Sequence, residues 1–190
     1  MILEVIRYGH PALRQKGARI ATVTPEIQKL VEDMFDTMRV AKGVGLAAQQ
    51  IGRALQLIVI DVRGATDRPS TLQINGKEAD VTAWMPMALI NPEVKPVGDS
   101  ETATEGCLSF PEIYGEIKRA GTADVSAMNA KGETIKFRCG GLLARAIQHE
   151  LDHLNGILFI DRMSRAEKEE LKPQLEELQA KTKAALKAAK

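Results

Sequence analysis

The segment Gly141 to Asn155 (GLLARAIQHELDHLN) constrains this chain most. Leu142, Leu143, Ala146, Ile147 and Leu154 give it an apolar side at helical spacing, and Asn155-Gly156 is a stop signal. On a helix, residues four apart lie one turn apart on the same face. His149 and His153 can therefore aim both imidazoles at one cation. Glu150, one step round, can reach a water beside that cation without ligating it. The bland alternative is a pair of histidines on a solvated face. Against it, the chain has three His in all, and two of them form this pair.

A catalytic cation of this type takes three protein ligands and leaves one position open. A third His in the spacing HxxGxxH would complete the set, but that position is Phe159, which cannot ligate. Glu167, Glu169 and Glu170 lie in a charge-dense stretch that reads as a solvated helix. Two cysteines remain. Cys107 sits in the loop-like run Glu105-Gly106-Cys107-Leu108-Ser109, and thiolate with two imidazoles is an accepted catalytic set. Cys139 ends a strand before Gly140-Gly141 and reads as a small packed hydrophobe. Loop context favours Cys107, while spacing alone leaves both open. A Cys107–Cys139 disulfide is the less expected use of the two thiols in a cytosolic chain.

The remainder reads as one α+β domain, with mixed or antiparallel sheets around a central metal-binding helix and a helix at the C-terminus. Thr24-Pro25 starts a helix whose apolar face is Ile27, Leu30, Val31, Met34, Phe35 and Met38, ending near Lys42-Gly43. Gln56–Val62 is an apolar, β-branched buried strand, and Ala88–Asn91 is another, stopped by Pro92. Thr122–Met128 and Glu133–Phe137 flank Asn129–Gly132 as a hairpin. Arg63–Asp80 reads as a polar loop or insertion. The tail from Ser164 is rich in Glu, Lys, Ala and Leu, hence helical, with Pro173 as a break. Its end, Leu178–Lys190, carries Lys181, Lys183, Lys187 and Lys190 and no acid.

Charge and hydropathy narrow the function classes. The 26 basic and 25 acidic residues give a formal charge of +1, which offers no general pull toward DNA or an anionic membrane. Aromatics at 4% argue against a stacking platform for single strands. No apolar run reaches the roughly 18 residues of a membrane span, and Met1–His10 lacks the pattern of a secretory signal, so the cytoplasm is the expected address.

Gly43-Val44-Gly45-Leu46-Ala47-Ala48-Gln49-Gln50 is the remaining distinctive run. Taken alone it reads as a helix cap followed by tight packing, with the Gln50 amide available to donate to an oxyanion. Together with Glu105–Ser109 and Gln148–His153, in this order, it resembles the peptide deformylase family, whose segments are GxGxAAxQ, EGCxS and QHExDH. The likeness also takes in His10-Pro11-Ala12-Leu13 and Gly141-Leu142-Leu143-Ala144, and spans residues 1–163 as a catalytic domain, with 164–190 as its Lys-rich helical extension.

The resemblance implies that Cys107, His149 and His153 hold one divalent metal with water as fourth ligand. It implies Fe²⁺ as the native ion, with Zn²⁺, Ni²⁺ or Co²⁺ as substitutes, where the residues alone suggest Zn²⁺. The implied reaction removes the N-formyl group from the formyl-methionine of nascent polypeptides and releases formate. Glu150 is the implied general base and acid, with the Gln50 amide and the Leu108 backbone N–H stabilising the oxyanion. Val44, Leu142, Ala146 and the His149 ring are implied for the methionine pocket. The backbones of Val44, Gly45 and Gly106 are implied to pair with substrate as an added strand. Glu105, Arg119 and Asp152 are candidates to orient the ligands. Tyr114 stands where some relatives have Arg, which leaves contacts beyond methionine open. The basic tail is similar to a helix that touches the ribosome in some relatives.

Two other functions remain on the residues alone. An endopeptidase with another third ligand would cleave unformylated peptides and keep its activity in Cys107→Ser. A structural site would recruit Cys139 as a fourth ligand and leave Glu150 without a task.

Overall fold

The computed structural model describes residues 1–189. Seven strands form one antiparallel sheet in the order β1-β2-β5-β6-β7-β3-β4. They are β1 (Gly45–Ala47), β2 (Leu57–Ile60), β3 (Ser70–Ile74), β4 (Lys77–Glu78), β5 (Met87–Cys107), β6 (Phe110–Met128) and β7 (Thr134–Gly140). Three α-helices join them: α1 (Pro25–Val40), α2 (Gly141–Leu154) and α3 (Arg165–Ala188). None of these helices is long and apolar enough to cross a membrane.

Strand β2 explains where the core sits. Its four residues are all fully buried, because each face of the strand meets a different helix. Ile58 and Ile60 join Ala47, Leu89, Leu143 and Ile147 against α2. Leu57 and Val59 join Leu46, Ile90, Val31 and Met34 against α1. A strand covered on both sides needs a continuous apolar run rather than alternation, and Leu57-Ile58-Val59-Ile60 supplies it. A third cluster gathers Leu13, Phe110, Ile117, Phe159 and Leu175 beneath α3.

Several expectations hold, and three are corrected. Helix α1 starts as expected, with the Thr24 hydroxyl accepting from the Ile27 N–H at 3.4 Å and Pro25 in the first turn. The hairpin around Asn129–Gly132 also forms. Pro92, however, does not stop β5. The ladder shifts register between Ile90 and Glu93, and Pro92 falls in that irregularity, where its missing N–H breaks no ladder bond. Segment 63–80 is not merely loop. It contains β3 and β4, turned at Asn75 (φ 51°) and Gly76 (φ 74°), and β3 extends the sheet beside β7. Asn-Gly is the strongest short hairpin signal in a sequence, so these strands were there to be read.

Pro173 likewise does not break α3, which runs through it. A proline inside a helix costs about 3 kcal/mol. Here Leu171 on one side and Leu175 and Leu178 on the other pack into the third cluster, which offsets that cost by burying both halves.

The start of α2 is set from outside the helix. Pro69 C=O accepts from Leu142 N–H at 3.1 Å, and Ser70 Oγ accepts from Leu143 N–H at 3.0 Å. Both N–H groups would otherwise lack partners. Gly141 makes this approach possible: its φ is +64°, and a Cβ there would lie 2.2 Å from Pro69 O. Gly141→Ala is expected to cost about 2 kcal/mol or more, read as a lower urea midpoint. An unchanged midpoint would show that α2 tolerates a shifted start.

Candidate metal centre and active site

The site is built from a hairpin tip and a helix. Cys107 ends β5 and pairs with Phe110 at the start of β6, so Leu108 and Ser109 form a two-residue turn. Helix α2 lies across the sheet and turns His149 and His153 toward that tip. The Cys107 Sγ and His153 Nε2 are 3.4 Å apart, and one ligand atom from each of Cys107, His149 and His153 lies within 4.8 Å of the others. Donors bound tetrahedrally to one ion at ordinary Zn–S and Zn–N lengths sit roughly 3.3–3.6 Å apart, so the set fits a small divalent cation. The chemistry fits as well. His149 Nδ1 is 2.8 Å from Glu105 Oε2, which leaves its other nitrogen for the cation. Burial holds His153 well below the usual imidazole range, so its lone pair is available.

Cys139 stays out of this group. It is buried, its thiol contacts the Ala123 carbonyl at 3.7 Å, and burial pushes its pKa up to about 12. Both cysteines are free thiols. Among the described residues, Glu167, Glu169 and Glu170 lie outside the donor cluster, and the Glu167 carboxylate accepts from Glu116 N–H at 2.7 Å. A four-ligand structural site through Cys139 is therefore not what this geometry offers.

Glu105 is the hub behind the ligands. Burial alone would raise its carboxyl, but hydrogen bonds from His149 and Arg119 outweigh that and hold it at about 2. Arg119 donates to both Glu105 oxygens, at 2.5 and 3.0 Å, and to Asp152 Oδ2 at 2.9 Å. Arg145 adds a bond to Glu105 Oε1 at 2.9 Å, and Arg162 grips Asp152 with two bonds of 2.6 Å. Glu105, Arg119 and Asp152 thus form one buried network, not separate surface charges. Arg145 and Arg162 were not foreseen. Arg145, a lone charge among Leu142–Ile147, was the available signal.

On the other side of the donors lies a second buried carboxylate. Glu150 is buried, and its Oε2 has no hydrogen-bond partner. Burial pushes its carboxyl up to about 7, against the pull of the Arg119 charge. Gly45 faces it closely: a Cβ there would sit 2.5 Å from Glu150 Oε1. Gln50 is oriented by its own neighbour. Ala47 N–H donates to Gln50 Oε1 at 2.8 Å, so the NH₂ end points toward Cys107 Sγ at 3.5 Å and Ser109 Oγ at 3.4 Å.

A cavity of about 550 Å³ opens over these groups. Val44, Gly45, Gln50, Gly106, Cys107, Leu108, Leu142, Ala146, His149 and Glu150 all line it; His153 lies behind, 1% exposed. Strand β1 is the end strand of the sheet, and Gly45 lies on it.

No sequence pattern marks the strap that the N-terminal segment makes beside the site. Ile6 N–H donates to the Gln50 carbonyl at 2.8 Å and Tyr8 N–H to the Ser109 carbonyl at 3.0 Å. Between them, the Arg7 guanidinium donates to the Leu108 carbonyl. The Tyr8 ring stacks on Phe110 with centroids 4.8 Å apart. Three residues therefore tie Gln50 to the hairpin tip.

Glu105→Gln keeps all three ligands but exchanges the carboxylate facing His149 for an amide. It is expected to weaken metal retention about 10- to 100-fold in a chelator competition. Retention equal to wild type would remove Glu105 from any role in holding the cation.

Comparison with known proteins gives the same answer at each level. Residues 2–169 match the polypeptide deformylase family. The chain is 45% identical over 178 residues to the peptide deformylase of Methylacidiphilum infernorum, covering 94% of this chain and 93% of that one. It is 41% identical over 189 residues to that of Opitutus terrae, covering 98% of each. Among solved structures, peptide deformylase 1B of Arabidopsis thaliana superposes with a TM-score of 0.82 at 35% identity, covering 96% of this chain and 93% of that one. The Synechococcus elongatus enzyme, solved with actinonin, gives 0.77 at 37%, covering 90% and 85%. With residues 2–169 matching the family and relatives above 40% identity over nearly the whole length, the chain belongs to the peptide deformylase family.

Proposed function

We propose that this chain hydrolyses the N-formyl group from the formyl-methionine of newly synthesised polypeptides and releases formate. The observation that carries this reading is the convergence of Cys107, His149 and His153 beside the unpartnered Glu150 carboxylate, on the wall of a cavity. A divalent cation held by the three donors supplies Lewis acidity, making water more acidic and polarising a carbonyl. We assign Fe²⁺ as the native ion, with Zn²⁺, Ni²⁺ or Co²⁺ as substitutes; the mixed sulfur and nitrogen donors suit all four.

The chain's own residues do the rest. Glu150 Oε2 accepts the proton of the attacking water and returns it to the leaving amine. Its burial, which raises a carboxyl, favours taking that proton up. The Gln50 NH₂ and the Leu108 N–H stabilise the charge that develops on the formyl oxygen, and the Ala47 bond holds that amide ready beforehand. Val44, Leu142, Ala146 and the His149 ring take the methionine side chain, an unbranched thioether that asks little of polar partners. The backbones of Val44, Gly45 and Gly106 receive the peptide as an added strand, supported by the free edge of β1. The close packing of Gly45 on Glu150 favours a formyl carbon, which bears only hydrogen, over a bulkier internal peptide carbonyl.

Residues 1–163 form the catalytic domain in this reading, and 164–190 its helical extension. Leu171, Leu175 and Leu178 support keeping the two as one unit. The far end presents Lys181, Lys183 and Lys187 to solvent, while Lys190 lies outside the described residues. Those lysines suit the phosphate-rich surface of a ribosome. A substrate present only as chains are made suits a cytoplasmic address.

With metal-loaded protein and a formyl-Met peptide, formate release is the direct measurement. Glu150→Gln is expected to lower kcat by about 10²- to 10⁴-fold with metal content retained. Equal release by the variant would remove the general-base assignment. Reversing Lys181, Lys183 and Lys187 to Glu is expected to weaken co-sedimentation with ribosomes and spare turnover of a small peptide. Unchanged sedimentation would end the docking role.

A further inference from the structure

The charged lining of the cavity falls into two sets. Glu105 and Arg145 are buried and joined at 2.9 Å, and Glu150 belongs to the reaction. The others are Arg7, Lys42, Arg68 and Glu112. Arg7, Lys42 and Glu112 are exposed, and Arg68 is half-buried, so these four form the mouth. Three cations against one acid leave a local excess of positive charge on a chain whose formal total is only +1.

These cations are not neutralised by the protein. Among the described residues none of the three forms an ion pair. Arg7 donates to the Leu108 carbonyl and Arg68 to the Thr104 carbonyl at 3.4 Å, both uncharged acceptors. Lys42 is also held in an unfavourable conformation. It follows the end of α1 with φ +56°, its N–H reaching the Arg39 carbonyl at 3.1 Å and the next N–H reaching Met38 at 3.0 Å. That is the position of a helix-ending motif usually filled by glycine. A lysine there strains the backbone and puts a cation on the rim. Tyr114, 61% exposed, adds an apolar ring to the same rim.

We infer that the cations Arg7, Lys42 and Arg68 favour a carboxylate on the second or third residue of the polypeptide, just after the formyl-methionine. This rests on the deformylase reading, which fixes the formyl group beside Cys107. An extended chain advances roughly 3.3–3.6 Å per residue, which carries the following residues from the cavity wall to its mouth. There a carboxylate meets three uncompensated cations, and a lysine side chain meets like charge.

The test measures formate release by the metal-loaded full chain at low salt. The substrates are C-terminally amidated formyl-Met-Glu-Ala, formyl-Met-Gln-Ala and formyl-Met-Lys-Ala. kcat/KM is expected to be about three- to tenfold higher for the Glu than for the Lys peptide, with Gln between, chiefly through KM. Salt at 0.5 M, a concentration that screens exposed charges, is expected to shrink the difference. In the Lys42→Gly, Arg68→Gln double variant the difference is expected to shrink while the Gln peptide keeps its rate. Glycine suits the left-handed backbone at that position, so the change leaves the fold intact. Equal values for Glu and Lys, with the Gln peptide turned over, overturn this inference alone. So does a preference that persists in the double variant. A gain confined to free-acid versions of the peptides assigns the cations to a terminal carboxylate, which a nascent chain lacks there, and also overturns it. No formate from the Gln peptide overturns the deformylase reading and this one with it.

Discussion

One carboxylate with almost no access to water governs the geometry of this molecule. Glu105 lies on β5, takes Arg119 from β6 and both Arg145 and His149 from α2. Each partner comes from an element that also shapes the site. The bond to His149 fixes which nitrogen of that ring faces the other donors. The bond to Arg145, with that of Arg119 to Asp152, fixes how α2 sits over the hairpin that bears Cys107. Removing one member of such a buried set leaves a charge without a partner and costs about 3–5 kcal/mol. The network is therefore a positioning device, and stability and ligand geometry fail together when it is broken.

The sheet provides the platform on which that device works. Because β2 is covered by α2 on one face and α1 on the other, the helix bearing His149, Glu150 and His153 has no freedom to slide without opening the core. Its start is pinned by Pro69 and Ser70, at the head of a strand that reads as loop or insertion in the linear sequence. Gln50 is fixed by the Ala47 N–H on one side and the Ile6–Tyr8 strap on the other. In the role proposed for it, a donor aimed before substrate arrives needs no reorganisation during the reaction.

What could be read from the residues depended on how local the physics was. The turn spacing of His149 and His153, the Thr24-Pro25 helix start and the apolar run of β2 are local patterns, and the structure bears them out. The choice of Cys107 over Cys139 was not local. It needed the turn at Leu108-Ser109 and the crossing of α2; loop context only favours Cys107, and likeness to a family completes the choice. Pro92 and Pro173 misled because their cost is local while its compensation, a register shift in one case and leucine packing in the other, is tertiary. The Arg119–Asp152 contact joins residues 33 apart in the chain, and no periodicity announces it.

The strap carries a consequence for how a protein like this can be taken apart. Its three residues lie near the first position of the chain, the sulfur donor lies past the middle, and the imidazoles lie well into the second half. No contiguous fragment shorter than most of the catalytic span contains a complete set. The cation-binding helix is thus not a transplantable cassette: grafted elsewhere it would bring two imidazoles and a carboxylate, but neither sulfur nor aimed amide. Inheritance of this chemistry must be wholesale, with the ordering of the first ten residues as much a part of it as the ligands themselves.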